Sequence, residues 1–207
     1  MNDILFASVK LNDFDRKDSL NKILSVDKKY WFWDTYRSTN MLPLMTKNSI
    51  TGKEGASNYR EGDFFWLDYT PISLRDWFES EVFPWMKTKT RVMALLTVPN
   101  FANKEHIDCK LDEVGARQHK FRVVLQGKTD TLYFKTRYGD QSAPDINEPF
   151  IMDGGWPHGM KNDSDQLKLT IAAGAPWNGL DTYDNINILM RKKDYELPDN
   201  LEKFLDK

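Results

Sequence analysis

From about residue 90 to residue 174 the chain is a run of short segments of β character, each closed by a turn signal. This rhythm constrains the fold more than any other feature of the sequence. RVMALLTVP (91–99) is apolar and stops at Pro99-Asn100, HIDCKL (106–111) alternates, and HKFRVVLQG (119–127) is β-branched. TLYFKT (131–136), PFIMDGG (149–155) and LKLTIAAG (167–174) follow. Short strands at even spacing predict antiparallel sheets that close into a sandwich or barrel. The residues from Gly127 to Asp130 predict a hairpin joining 119–127 to 131–136.

The first ninety residues have another texture. Ser73 is a candidate N-cap, and Leu74, Trp77, Phe78 and Val82 follow at helical spacing, with Pro84 limiting the helix. Trp31, Phe32 and Trp33 are expected in the core over the barrel, with Tyr36, Arg37 and Asn40 after them and 41–44 at the pocket mouth. The polar stretch from Thr46 to Gly62 reads as a surface loop. The charged tail KKDYELPDNLEKFLDK is a candidate amphipathic helix. No repeat or low-complexity linker divides the chain. The expectation is one domain over 1–207: N-terminal helical and loop elements (1–90), a β core (91–177) and a tail (178–207). The fold class is mainly β with flanking helices.

Charge narrows the function. The net charge of −2 lacks the basic excess that nucleic acid or an anionic membrane calls for. No apolar run reaches the roughly 18 residues of a membrane-spanning helix, and the N-terminus shows no signal-peptide core. The single cysteine, Cys109, permits no intrachain disulfide and is expected in the core. Together these point to the cytoplasm.

Three histidines are present, and two sit where chemistry is possible. His106 and Asp108 share one face of an extended segment, because side chains alternate with period two. His158 follows near the end of another strand segment, in GGWPHG. Two imidazoles and one carboxylate can hold one face of an octahedral Fe(II) and leave the opposite face open. His119 has the opposite parity to Arg122, which suits a structural role. Lys168 shares a face with Thr170 and Ala172, and a lysine among small inward residues needs a partner.

These residues resemble the 2-oxoglutarate, Fe(II)-dependent dioxygenase superfamily, over roughly residues 90 to 177. Its pattern is His-x-Asp/Glu, a distal His, and a basic residue about ten positions later, met here by His106, Asp108, His158 and Lys168. The segment FRVVLQG (121–127) and the segment from Pro149 to Asn162 are similar to the aspartyl/asparaginyl β-hydroxylase branch, with Val124 where that branch has a histidine. The full triad is as in the prolyl hydroxylases. The resemblance implies a double-stranded β-helix core of the jelly-roll or cupin kind. It also implies Fe(II) on His106, Asp108 and His158, 2-oxoglutarate as cosubstrate and dioxygen as oxidant. Lys168 or Arg122, or both, would hold the far carboxylate of 2-oxoglutarate, and Tyr133 could donate to a cosubstrate carboxylate. The implied reaction hydroxylates an amino-acid side chain, free or in a peptide, and releases succinate and CO2. The partner would be a small molecule or a peptide. Two readings compete: a cupin-like metal enzyme that does not use 2-oxoglutarate, and a non-catalytic binding module on the same barrel. Trp156, beside the distal histidine, suits either the site or the core.

Overall fold

The computed structural model describes residues 3–47, 64–108, 119–174 and 184–205. Cys109 and nearly all of the polar stretch 46–62 lie outside them. Thirteen strands are described: β1 (Ile4–Val9), β2 (Phe32–Asp34), β3 (Thr39–Lys47), β4 (Phe64–Trp66), β5 (Val92–Thr97), β6 (Phe101–Ala102), β7 (His119–Gln126), β8 (Leu132–Thr136), β9 (Gly139–Ser142), β10 (Phe150–Asp153), β11 (His158–Asn162), β12 (Lys168–Gly174) and β13 (Ile186–Arg191). No helix among the described residues is long and apolar enough to cross a membrane.

The strands form a nine-stranded sheet, ordered β13-β1-β10-β7-β12-β5-β3-β2 with β4 on β3, and a four-stranded sheet, ordered β6-β11-β8-β9. Every described pairing is antiparallel. From β5 to β12 the chain crosses repeatedly between the sheets, with β5, β7, β10 and β12 in the large one and β6, β8, β9 and β11 in the small one. That alternation is a double-stranded β-helix. The large sheet extends beyond 91–177, because β3 adds to β5 on one side while β1 and β13 add to β10 on the other.

The expected hairpin of 119–127 with 131–136 does not form. β7 pairs with β10 and β12, whereas β8 pairs with β9 and β11. The connection between them is a corner between sheets. Thr129 Oγ1 donates to the Ile146 carbonyl at 2.7 Å and Thr129 N donates to Asp145 Oδ1 at 3.2 Å, which pulls the corner onto a distant loop.

One face of the large sheet is covered by helices. α1 (Arg16–Leu24) is capped by Asp15, whose carboxylate accepts from Asp18 N at 2.8 Å. α2 (Ile72–Trp77) starts after Pro71, so Ser73 is not its cap; its hydroxyl lies 3.0 Å from that of Ser19 and ties α2 to α1. Pro84 does not end the helical stretch. A π-helical turn (Phe78–Val82) leads into α3 (Phe83–Met86), where Pro84 occupies the first turn and needs no amide partner. Leu74, Trp77, Phe78, Val82, Phe83 and Met86 are buried against Phe121, Val123, Leu169 and Ile171 of the sheet. Burial of each such side chain contributes about 1.5–3 kcal/mol.

The opposite face looks into the barrel. Phe6, Phe134, Phe150, Met152 and Trp156 fill one part of it, so Trp156 is a core residue, its indole donating to the Lys135 carbonyl at 2.8 Å. Met41, Met93, Leu95 and Ala172 form a second cluster with Phe32. Trp33 departs from the expected core: it is 48% exposed and meets Phe101 edge-on.

The tail does not form an α-helix. It makes two single turns, Lys192–Asp194 and Glu202–Phe204, around an extended stretch. Pro198 opposes a continuous helix, and Glu196 is pinned by Arg137 N donating to its carbonyl at 2.9 Å. The Lys192 ammonium pairs with the buried Asp153 carboxylate.

Gly127 opens the corner with φ +94°, and an added Cβ would lie 3.0 Å from Lys168 Cγ. Left-handed backbone strain and overpacking would act together. Gly127→Ala is expected to destabilise the fold by about 2 kcal/mol or more, read as a lower urea midpoint at unchanged m-value; an unchanged midpoint would refute the steric argument.

Candidate metal centre

His106 and Asp108 do not sit on a regular strand. The segment is held from three directions. His106 exchanges both backbone hydrogen bonds with His158, at 2.9 and 3.0 Å. Ile107 N donates to the Phe204 carbonyl at 3.0 Å, and Asp108 N donates to the Gly154 carbonyl at 2.8 Å. The Tyr36 hydroxyl stands 2.9 Å from the Ile107 carbonyl and 3.0 Å from that of Phe204. The turn after β2 and the tail thus converge on the His-x-Asp segment.

The result is a tight donor cluster. One ligand atom from each of His106, Asp108 and His158 lies within 4.8 Å of the others. His106 Nε2 is 3.6 Å from Asp108 Oδ1, and His158 Nε2 is 4.0 Å from Oδ2. Each imidazole has its Nδ1 2.8 Å from a carbonyl, that of Lys104 for His106 and that of Trp156 for His158. A carbonyl only accepts, so Nδ1 carries the hydrogen and the neutral ring presents a bare Nε2 lone pair to the centre. Burial pushes His158 down to about 3. Burial alone would raise the Asp108 carboxyl, but the Arg37 guanidinium, with the Lys120 ammonium, outweighs it and holds it well below the usual carboxylate range. Bare imidazole nitrogens and an ionised carboxylate are the donor set that a divalent first-row metal takes.

Arg37 comes from the turn after β2. Its Nη2 and Nε both donate to Asp108 Oδ1, at 2.7 and 3.2 Å. Its Nη1 pairs with Asp34 Oδ2 at 2.9 Å, while Asp34 Oδ1 accepts from Tyr36 N and Arg37 N. The other carboxylate oxygen, Asp108 Oδ2, faces Gly154, where an added Cβ would come within 3.0 Å of it.

Beside the cluster lies a cleft lined by Asp108, Arg37, Arg91, Lys120, Arg122, Met41, Met93, Leu95, Ala172 and Gly174. Register explains the lining. Lys120 and Arg122 alternate with Phe121 and Val123 on β7, and Gly174 and Ala172 of β12 lie opposite them. Of the predicted cosubstrate residues, Arg122 therefore lies at the cleft with Asp108. Lys168 is buried at the other end of β12, and its ammonium donates to the Lys128 carbonyl and the Thr131 hydroxyl. Tyr133 pairs with Gly159, on the face opposite His158 and Phe134, and its hydroxyl donates to Glu105 Oε1 at 3.1 Å. His119 is fully buried, with Nε2 3.1 Å from the Ile4 carbonyl, a structural contact. Of 41–44, Met41 reaches the cleft while Leu42 and Leu44 lie in the helix-side core.

Arg91 and Lys120 are missed by the sequence reading. The signal was present for Lys120, which has the parity of Arg122, and for Arg91, which has the parity of Met93 and Leu95.

No family model matches the chain, and neither does any curated protein. Among solved structures it is similar to EvdMO1 at 14% identity, with TM-score 0.48, over 84% of this chain and 48% of that one. It is similar to a Pseudomonas putida prolyl-4-hydroxylase at 11% identity, with TM-score 0.43, over 81% and 90% of the two chains. It is also similar to an oxidoreductase of the 2OG-Fe(II) oxygenase family from Burkholderia pseudomallei, at 9% identity and TM-score 0.43, over 70% and 73%. The chain spans about half the length of EvdMO1.

Burial lowers Lys168 to about 8, against partial compensation from Asp130 and Asp145. Below pH 8 the folded and unfolded chains both carry the proton. Between about pH 8 and 10.5 the unfolded chain keeps a proton that the folded chain has shed, so stability rises with pH. Wild type is expected to gain on Lys168→Met by roughly 1 kcal/mol per pH unit across that window in urea titrations; a constant difference would mean an ordinary lysine.

Proposed function

We propose that the chain is an Fe(II)- and 2-oxoglutarate-dependent oxygenase that hydroxylates an amino-acid side chain, free or in a peptide. One observation carries this reading: two bare Nε2 atoms and one ionised carboxylate converge within 4.8 Å at the edge of a cationic cleft on a double-stranded β-helix. His106, Asp108 and His158 would hold the ion and leave the rest of its coordination to exogenous ligands. The donor set fits Fe(II), which with 2-oxoglutarate supplies the electrons that activate dioxygen, giving succinate and CO2 beside the hydroxylated product.

The chain's own residues do the rest. The Lys104 and Trp156 carbonyls fix the histidine tautomers, and Arg37 holds Asp108 ionised and oriented. Arg122 anchors the far carboxylate of 2-oxoglutarate, since a planar guanidinium matches a carboxylate and this one lies at the cleft. Lys168 is committed to the corner between β7 and β8. Met41, Met93 and Leu95 form an apolar wall that keeps water from the reacting groups.

The test is the visible charge-transfer band that forms when 2-oxoglutarate is added to anaerobic, Fe(II)-loaded protein. Wild type is expected to show it and Asp108→Ala to lack it. Arg122→Met should raise the half-saturating cosubstrate concentration about tenfold or more, and Lys168→Met should leave it within about twofold. Bound iron with no band would overturn the 2-oxoglutarate assignment in favour of a cupin-like metal enzyme. Failure to bind iron would leave a non-catalytic binding module.

A further inference from the structure

Asp153 and Lys192 form a buried ion pair outside both the donor cluster and the cleft. Asp153 is 1% exposed and the Lys192 side chain 13%. Taking two charges out of water costs about as much as their attraction returns, and an apolar pair of like size often serves stability as well or better. Stability alone is therefore a poor reason for this pair. Its place in the fold supplies a better one.

Asp153 ends β10 and opens the turn that leads into β11. Its carboxylate is divided between two tasks. Oδ1 accepts from Gly155 N at 2.8 Å, and Oδ2 pairs with the Lys192 ammonium. Its own carbonyl accepts from Trp156 N at 3.2 Å. The turn so held delivers two carbonyls to the donor cluster. That of Gly154 accepts from Asp108 N at 2.8 Å, and that of Trp156 stands 2.8 Å from His158 Nδ1. Close approach requires glycine at 154, because an added Cβ would lie 3.0 Å from Asp108 Oδ2 and 3.1 Å from Lys120 Cε. Glycine brings backbone freedom to a turn that has to aim two carbonyls. Asp153 removes that freedom by tying the next amide. Lys192 in turn fixes Asp153. It directly follows β13, its N donates to the Asp3 carbonyl at 2.8 Å, and β1 lies between β13 and β10 in the sheet. The ammonium is thereby anchored to strands that carry no ligand.

We infer that Asp153 and Lys192 are positioning residues of the metal centre: their ion pair locks the turn 153–157 so that the Gly154 and Trp156 carbonyls hold Asp108 and His158 in place as donors. The inference rests on the reading of the triad as metal ligands and is independent of 2-oxoglutarate. One arm of its test uses metal-free protein, so the two can fail separately.

The experiment compares wild type with Lys192→Arg, with Lys192→Met and with the double variant Asp153→Ala/Lys192→Met, which leaves neither charge behind. In metal-free protein, NMR follows solvent exchange of the imidazole Nδ1–H of His158. His106 is the internal reference, because the Lys104 carbonyl that faces its Nδ1 lies outside the turn. A Co(II) titration, read by its visible absorption, then gives metal affinity. In the double variant the His158 proton is expected to exchange at least about fivefold faster while that of His106 stays within about twofold. Co(II) affinity should fall at least about fivefold. Lys192→Met should move both readouts in the same direction and carries the test if the double variant does not fold. Lys192→Arg, which keeps the charge, should stay within about twofold of wild type. Unchanged exchange at His158 in both methionine-bearing variants would overturn the proposal, and so would equal acceleration at both histidines, which marks a general loosening of the fold. If wild type binds no Co(II), the metal reading falls, and selective exchange at His158 decides the positioning role by itself.

Discussion

A carboxylate enclosed by protein stays ionised only where neighbouring charge and hydrogen bonds outweigh the loss of water. Asp108, with a side chain 4% exposed, is such a group, and the site is built around keeping it charged. Arg37 supplies the nearest positive charge, with the Lys120 ammonium adding to it. Arg37 contacts Oδ1 while Gly154 leaves room at Oδ2. Asp108 and His158 are therefore both held towards the deprotonated state that a metal needs.

The same sheet serves two environments through the parity of β7. Phe121 and Val123 enter the core beneath the helices, while Lys120 and Arg122 enter the cleft. The aromatic packing of Trp77, Phe78 and Trp85 on Phe121 fixes the strand, and alternation then aims the two cations without further machinery. The length of β12 separates the remaining lysine. Lys168 and Gly174 stand six residues apart, roughly 20 Å along a strand, so one end carries a structural ammonium and the other a pair of basic groups facing the cleft.

How much of this was legible in the sequence follows from which forces are local. The triad was readable because a His-x-Asp pair and a distal histidine are scarce in a chain with three histidines. β5, β7, β8, β10 and β12 were readable as apolar or β-branched runs closed by turn signals, whereas β1, β3 and β13, which extend the large sheet, were not. Pairing was not readable either: Gly127 to Asp130 looks like a hairpin turn, yet the choice of sheet is made by Thr129 bonding to Ile146. Lys168 met the spacing of a cosubstrate residue, but spacing does not say what an ammonium touches once the chain turns a corner. Arg91 and Lys120 meet only through β12, which lies between their strands, and no window of sequence contains both. The tail reads as helix by charge and periodicity, but Pro198 and the docking of Phe204 decide otherwise.

That docking explains why the His-x-Asp segment can afford to leave the regular ladder. A continuous strand through 106–108 would take its hydrogen bonds from neighbours at fixed spacing and would fix the donors at the pleat's own separation. Here each residue is bonded to a different element: His106 to β11, Ile107 to the tail, and Asp108 to the end of β10. Tyr36 bridges the tail to the same segment and places its ring edge-on to His106. The geometry of the donors is set by three independent anchors rather than by one sheet. One of these anchors, the tail, and the added support from Tyr36 lie outside the β-helix. The barrel supplies the histidines and the aspartate, while Tyr36 and the turn at Phe204 fix the segment that carries two of the three.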